Sequence, residues 1–261
     1  MTNKIYNILR QSGRHVILST LGQFRKPANS IHILNGHMSH RTKPDISYFE
    51  NLMYKLSKEV TFIRIEDAVD MIMNGTSTNK PLVAFTFDDG FAECKDTICP
   101  VLEKYGVNGL FFINPNYVSG DDAYIGNFDS NIVMSPGKQP LRWNDLREMH
   151  KNGHLIGAHT MDHYMINDDD DEKLEYEIGE CKKIIENEIG SLCEYFAFPY
   201  GRMEHANPMS IDIACKYYKY VFSQSDYKHY FSFNGRVINR RHFEPFWPIS
   251  HVNYFLSFTK H

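Results

Sequence analysis

The run Leu82-Val83-Ala84-Phe85-Thr86-Phe87 is almost continuously apolar and stops at Asp88-Asp89-Gly90. Such a run predicts a parallel strand covered on both faces, ending in a loop where function collects. The rest of the chain alternates in the same sense. Ile31-His32-Ile33-Leu34 predicts an earlier strand, and 48–56 has helical spacing. Thr61-Phe62-Ile63 precedes a second helix over 65–73. Helix 94–105, strand 109–113, helix 141–151, strand 155–158, helix 172–189, strand 195–198, helix 208–217 and strands 220–223 and 236–243 continue the period. Repeated βα units in this number predict an α/β barrel with its chemistry at the C-terminal ends of the strands.

Composition narrows the classes. One core is the default for 261 residues, with no internal repeat and no linker long enough to separate two domains. With 28 Lys+Arg against 32 Asp+Glu, a net charge of −4 and no basic block, nucleic-acid binding by phosphate neutralisation has no footing. No run approaches the roughly 18 apolar residues of a membrane span. Five cysteines, Cys94, Cys99, Cys181, Cys193 and Cys215, are odd in number and lack paired zinc-type spacing, which fits reduced thiols. With no signal-peptide pattern, a cytoplasmic location is expected.

An N-terminal extension is expected over about 1–28. Within it, 8–24, with the basic residues Arg10 and Arg14 and the following Arg25 and Lys26, would give either weak membrane-surface contact or an ordinary solvated helix. Residues 119–140, rich in Gly, Asp, Asn, Ser and Pro, predict a loop inserted at one rim. The Asp168 to Asp171 run is expected to be the charged N-terminus of a helix rather than a calcium site. Without heptads or an apolar interface stripe, monomer and homodimer both stay open.

Three strand ends share a chemical theme: Asp88 and Asp89 follow one, His159 and His163 another, and Pro199-Tyr200-Gly201 a third. Histidines at i and i+4 can present two imidazoles on one helical turn, and a carboxylate completes a triad with positions open to water and substrate. Singly, each motif has a bland alternative: paired surface histidines, or an Asp-Asp-Gly turn. In order, they are more specific. Thr86-Phe87-Asp88-Asp89-Gly90, then Gly153-His154-Leu155-Ile156-Gly157-Ala158-His159-Thr160-Met161-Asp162-His163, then Phe196-Ala197-Phe198-Pro199-Tyr200-Gly201 resembles the polysaccharide deacetylases of the NodB-homology, carbohydrate esterase family 4 type. Leu34-Asn35-Gly36-His37 is similar to that family's early strand and loop, and Leu141-Arg142-Trp143 to its lead-in to the histidine motif.

The resemblance implies a distorted (β/α)7 TIM-like barrel in which Asp89, His159 and His163 bind a divalent metal and Asp88 is the general base. It also implies that the Tyr200 backbone N–H helps to stabilise an oxyanion. Zinc is the first expectation, with cobalt, nickel or iron as alternatives. Thr160 is expected to position the histidine loop or to cap a helix.

The pattern departs at Ala197, where the family often carries an arginine holding the base. Members with alanine there often have an arginine on a late strand, which Val237-Ile238-Asn239-Arg240-Arg241-His242-Phe243 resembles. Alternation puts Arg240 and His242 on one face. Arg240 is therefore expected to orient Asp88 and His242 to protonate the leaving amine, with Arg241 as the competing salt-bridging residue and His251 as the competing acid. His37 would lie near the mouth if it follows the first strand, or else be a core or loop histidine, and His154 is assigned to a structural turn. Trp143 is assigned to the core, and Trp247 to the rim as a sugar-stacking candidate.

The function expected is a metal-dependent hydrolase removing an N-acetyl or other N-acyl group from an amino sugar, in a glycan or a surface-polysaccharide precursor. The alternatives are a hydrolase of another non-peptide C–N bond and a catalytically inactive glycan-binding barrel.

Overall fold

The computed structural model describes residues 18–37, 45–224 and 226–261. Its strands are β1 (Ile31–Gly36), β2 (Thr61–Phe62), β3 (Leu82–Phe87), β4 (Gly109–Ile113), β5 (Leu155–Ala158), β6 (Tyr195–Ala197), β7 (Tyr220–Ser223), β8 (Phe231–Ser232), β9 (Val237–Asn239) and β10 (Arg241–His242). They form one sheet in the order β10-β1-β3-β4-β5-β6-β7-β9-β8, with β2 also against β3. All pairings are parallel except β8 with β9.

The expected single strand over 236–243 is instead broken at Arg240. β9 pairs with β7 (Ser223 opposite Asn239), whereas β10 pairs with β1 (Asn35 opposite His242). One segment thus supplies the β10 edge and the strand β9 next to the β8 edge, and so brings the two ends of the sheet together in a distorted (β/α)7 barrel, a single domain. A sheet curled this tightly needs a bend where a strand changes partner.

Alternation fixes which residues face inward. Ile31 and Ile33 of β1, Leu82 and Ala84 of β3, Phe112 of β4, Ala197 of β6, Phe222 of β7 and Ile238 of β9 share the inner cluster. Leu34, Val83, Phe85, Phe87, Phe111 and Phe196 pack outward under the helices. Each buried phenylalanine contributes roughly 1.5–3 kcal/mol of transfer free energy. Two residues beyond these inward positions come Asn35, Thr86 and Arg240, so the same parity that builds the core aims polar side chains at the mouth.

The helices Ile46–Leu56, Ile65–Met73, Trp143–Lys151, Cys181–Ile189 and Pro208–Tyr217 follow the expected alternation. The acidic run opens a helix, with the Asp170 carboxylate accepting from the Lys173 N–H at 3.0 Å. The rim segment differs from the irregular loop expected over 119–140. Following a short helix Pro115–Ser119, it holds the helix Asp122–Asn127 and a wide helical turn Phe128–Ile132 before Pro140 pairs back onto Phe91. Phe91, Tyr117, Ile125 and Phe128 form its own buried cluster, with the Tyr117 and Phe128 rings stacked at 4.0 Å. Within the segment, two buried anchors, Ile125 and Phe128, among Gly, Asp and Asn are too sparse to show a period in sequence.

Of the expected N-terminal extension, residues 1–17 with Arg10 and Arg14 lie outside the described residues. Residues 18–22 are helical, and Gly22 lies so close to the Ser250 carbonyl that a Cβ there would come within 1.8 Å of its oxygen. All five cysteines are free. Among the described residues, no helix is long and apolar enough to cross a membrane.

Candidate active site

Asp88 leaves the end of β3 with a buried carboxylate. Arg240, fully buried at the β9–β10 break, grips it with both nitrogens: Nη1 donates to Oδ1 at 2.8 Å and Nη2 to Oδ2 at 3.0 Å. The guanidinium lies over the inward rings of Phe112 (4.9 Å) and Phe222 (5.8 Å). Asn35 Nδ2 donates to Asp88 Oδ2 at 2.9 Å, and Arg240 Nη1 also reaches Asn35 Oδ1 and Thr86 Oγ1 at 2.9 and 3.0 Å. Burial alone would push the Asp88 carboxyl up. The Arg240 charge, followed by His159 and His37, outweighs it and holds the group well below the usual carboxylate range. Arg241 points to the opposite face of the strand, where its Nη2 donates to the Phe258 carbonyl at 2.6 Å.

Asp89 turns away from Asp88 through a left-handed backbone (φ 72°). Its Oδ1 faces His163 Nε2 at 3.4 Å and His159 Nε2 at 3.7 Å. His159 Nδ1 lies 2.6 Å from the Ala197 carbonyl, to which it donates, so its Nε2 presents a lone pair to the cluster. Burial lowers the His159 pKa to about 4, which keeps the ring neutral. These are borderline donors in a carboxylate-plus-two-imidazole set, and buried Asp89 Oδ1 has no hydrogen-bond partner. An orphaned carboxylate oxygen facing two ring nitrogens fits a divalent cation.

His159 and His163 do not share a helical turn. Residues 159–163 form a loop in which Thr160 (φ 63°) and His163 (φ 56°) are left-handed, so the chain folds back and the two rings meet at 5.1 Å. Thr160 caps no helix; its Oγ1 accepts from the Tyr164 N–H at 2.8 Å and fixes the loop. Asn114 Nδ2 holds the Thr160 carbonyl at 3.0 Å and also donates to that of His159. Tyr200 is a further left-handed residue (φ 62°), its ring edge-on to His163 at 4.8 Å. Strained non-glycine backbone collected at one mouth is typical of sites whose geometry is over-determined by their surroundings.

Above this floor opens a cleft of about 800 Å³, lined among others by His37, Tyr200, His242, Glu244, Trp247 and His251. His37 Nε2 approaches Asp88 Oδ2 and its Nδ1 approaches Glu244 Oε1, both at 3.7 Å. Burial alone would lower its pKa, but Glu244, Asp89 and Asp88 raise it to about 9. His242 lies one step farther out: its Nε2 is 3.7 Å from Glu244 Oε1 and its ring is against those of His37 and Trp247, each at 5.1 Å. His251 Nε2 lies 3.0 Å from Ser19 Oγ. Trp143 is away from the mouth, donating to Ser119 Oγ at 2.9 Å. His154 accepts from the Gly109 N–H at 3.1 Å beneath the sheet.

Sequence reasoning missed Asn35, Thr86, Asn114 and Glu244; of its two readings for His37, the place near the mouth is the one found. Parity offered a signal for two of them, because Asn35 and Thr86 are the polar interruptions at inward positions of apolar strands. Nothing local marks Asn114 or Glu244.

The sequence model of the polysaccharide deacetylase family matches residues 75–214, a span that includes Asp88, Asp89, His159, His163 and Tyr200. A chitooligosaccharide deacetylase of Azorhizobium caulinodans is 27% identical over 125 residues, 47% of this chain and 50% of that protein. The matches span 43% and 50% of the lengths of two curated relatives, half or less of each. The fold is shared with the Streptococcus pyogenes deacetylase PplD in complex with acetate (TM-score 0.66, 18% identity, 88% of this chain and 99% of that one). It is shared equally with IcaB from Ammonifex degensii (TM-score 0.66, 20% identity, 89% and 99%).

Proposed function

The chain belongs to the polysaccharide deacetylase family, and from that membership we propose that it is a metal-dependent hydrolase removing an N-acetyl or other N-acyl group from an amino sugar, in a glycan or a surface-polysaccharide precursor. The observation that carries this reading is the adjacency of two differently equipped carboxylates: Asp88 gripped by Arg240, and Asp89 facing two histidines. That division suits a base and a ligand.

Asp89, His159 and His163 would hold the cation, zinc in the first instance. When bound, it supplies Lewis acidity, acidifying water and polarising the acyl carbonyl. Asp88 accepts the proton of the attacking water, and Arg240 keeps it ionised and aimed for that transfer. The Tyr200 N–H donates to the oxyanion as the water oxygen bonds to the carbonyl carbon. His37 gives its proton to the leaving amine as the C–N bond breaks. We assign that role to His37 rather than to His242, because His37 approaches Asp88 and its raised pKa keeps it charged at neutral pH. His242 faces Glu244 at the outer edge, and with Trp247 it suits contact with the sugar.

The test is acetate release from N-acetylated oligosaccharides and from nucleotide- and lipid-linked amino sugars, after chelation and again after zinc or cobalt is restored. Metal-restored release that Asp88→Asn lowers by about 10²–10⁴-fold is the expected result. A chain that binds no metal, or one that binds it and frees no amine from any of these substrates or from their other N-acyl counterparts, would overturn the proposal.

A further inference from the structure

The mouth carries a second cluster built like the first. Glu244 Oε1 lies 3.7 Å from both His37 Nδ1 and His242 Nε2, against 3.4 and 3.7 Å from Asp89 Oδ1 to its two histidines. In each, one carboxylate oxygen and two imidazole nitrogens lie within 4.8 Å of one another. The sheet register builds the second cluster. His37 directly follows β1, His242 ends β10 opposite Asn35, and Glu244 is two residues farther on. Glu244 is buried, whereas the His242 side chain is 36% exposed and opens onto the cleft.

We propose that His37, His242 and Glu244 form a second, weaker divalent-cation site whose occupancy silences the proton donor. Two imidazoles and a carboxylate are a donor set for zinc, nickel or cobalt. Weaker binding follows from its more open position and from the competing ion pair between His37 and Glu244. A cation on His37 Nδ1 displaces the proton from that nitrogen, leaving a neutral ring that keeps only its Nε2 proton and no longer acts as an imidazolium acid. The inhibitory half rests on the assignment of His37 as donor; the binding half does not.

The test is zinc binding by the full chain, read by competition with a chromophoric chelator. Two zinc ions per chain are expected, one tight and one weak. Asp89→Asn should lose the tight ion and keep the weak one; His242→Ala and, separately, Glu244→Gln should do the reverse. In turnover assays, zinc beyond one equivalent should inhibit the unsubstituted chain, and the turnover that each outer-site variant retains, lowered by the loss of a sugar contact or of the Glu244 charge, should be insensitive to that zinc. One zinc per chain at saturation, or two retained in both outer-site variants, would overturn the site. Two zinc ions with zinc-insensitive turnover would overturn the inhibitory role. Absence of turnover with the stoichiometries as expected would be a failure of the deacetylase proposal and would leave the second site supported.

Discussion

Asp88 is ionised where burial opposes ionisation, and Arg240 is the reason. Two parallel N–H···O bonds and a stack on Phe112 are available to a guanidinium and not to an ammonium. Arg240→Lys is therefore expected to fold yet lose turnover, with the acid limb of its kcat/KM profile moved to higher pH as Asp88 becomes easier to protonate. Arg240→Met leaves the carboxylate buried without its charge partner and should cost about 3–5 kcal/mol in urea unfolding. The sign follows from linkage. A carboxyl depressed in the folded state stabilises above its unfolded pKa, and that stability is lost as pH falls. His37 works the other way: raised to about 9, it stabilises fully below its ordinary pKa and the contribution fades as pH rises through 9. His37→Gln should lower kcat by about 10²–10⁴-fold and abolish an alkaline limb near pH 9, and His242→Gln should leave that limb in place. A profile whose alkaline limb survives His37→Gln would return the acid role to His242.

At the scale of elements, the histidine loop after β5 shows how local pattern and local structure part. His-x-x-x-His has helical spacing, but Thr160 and His163 are left-handed and the loop is pinned from outside, by Asn114 of the neighbouring strand end. Asn114→Ala should lower zinc affinity by about 10–100-fold in chelator competition while leaving Asp89 and both histidines intact. Unchanged affinity would show that the loop holds itself. The rim segment makes the same point: the Tyr117 and Phe128 rings stack within the segment, while Pro140 at its end pairs with Phe91, which follows a different strand. The strands of the barrel needed no such help, because an apolar run such as Leu82–Phe87 carries its own burial on both faces.

At the scale of the molecule, Asp89, His159 and His163 are buried at a cost that a bound cation would offset. Free zinc at about 100 times Kd should add about 2.7 kcal/mol, raising Tm by roughly 5–10 °C for a chain of this size. The metal-free chain should lose stability as pH falls from about 6.5 towards 4, because unfolded His159 takes up a proton that the buried ring, lowered to about 4, refuses. Denaturant unfolding under chelator across that range checks the sign, and a rise in stability on acidification would contradict it.

Much of this was legible in sequence: the alternation, the strand ending in Asp88-Asp89, the histidine pair, and Ala197 with an arginine on a late strand to replace the one it lacks. Strand parity put Arg240 on an inward face. What parity could not decide is what that face meets. The β9–β10 segment pairs with β7 through one half and with β1 through the other, so Arg240 reaches a carboxylate 152 residues away and His242 comes to rest beside β1 and His37. Periodicity is a property of neighbours along the chain and is written in the sequence. The distances from Asp88 to His37 and from His37 to His242 join strands remote in sequence, and only the tertiary structure sets them.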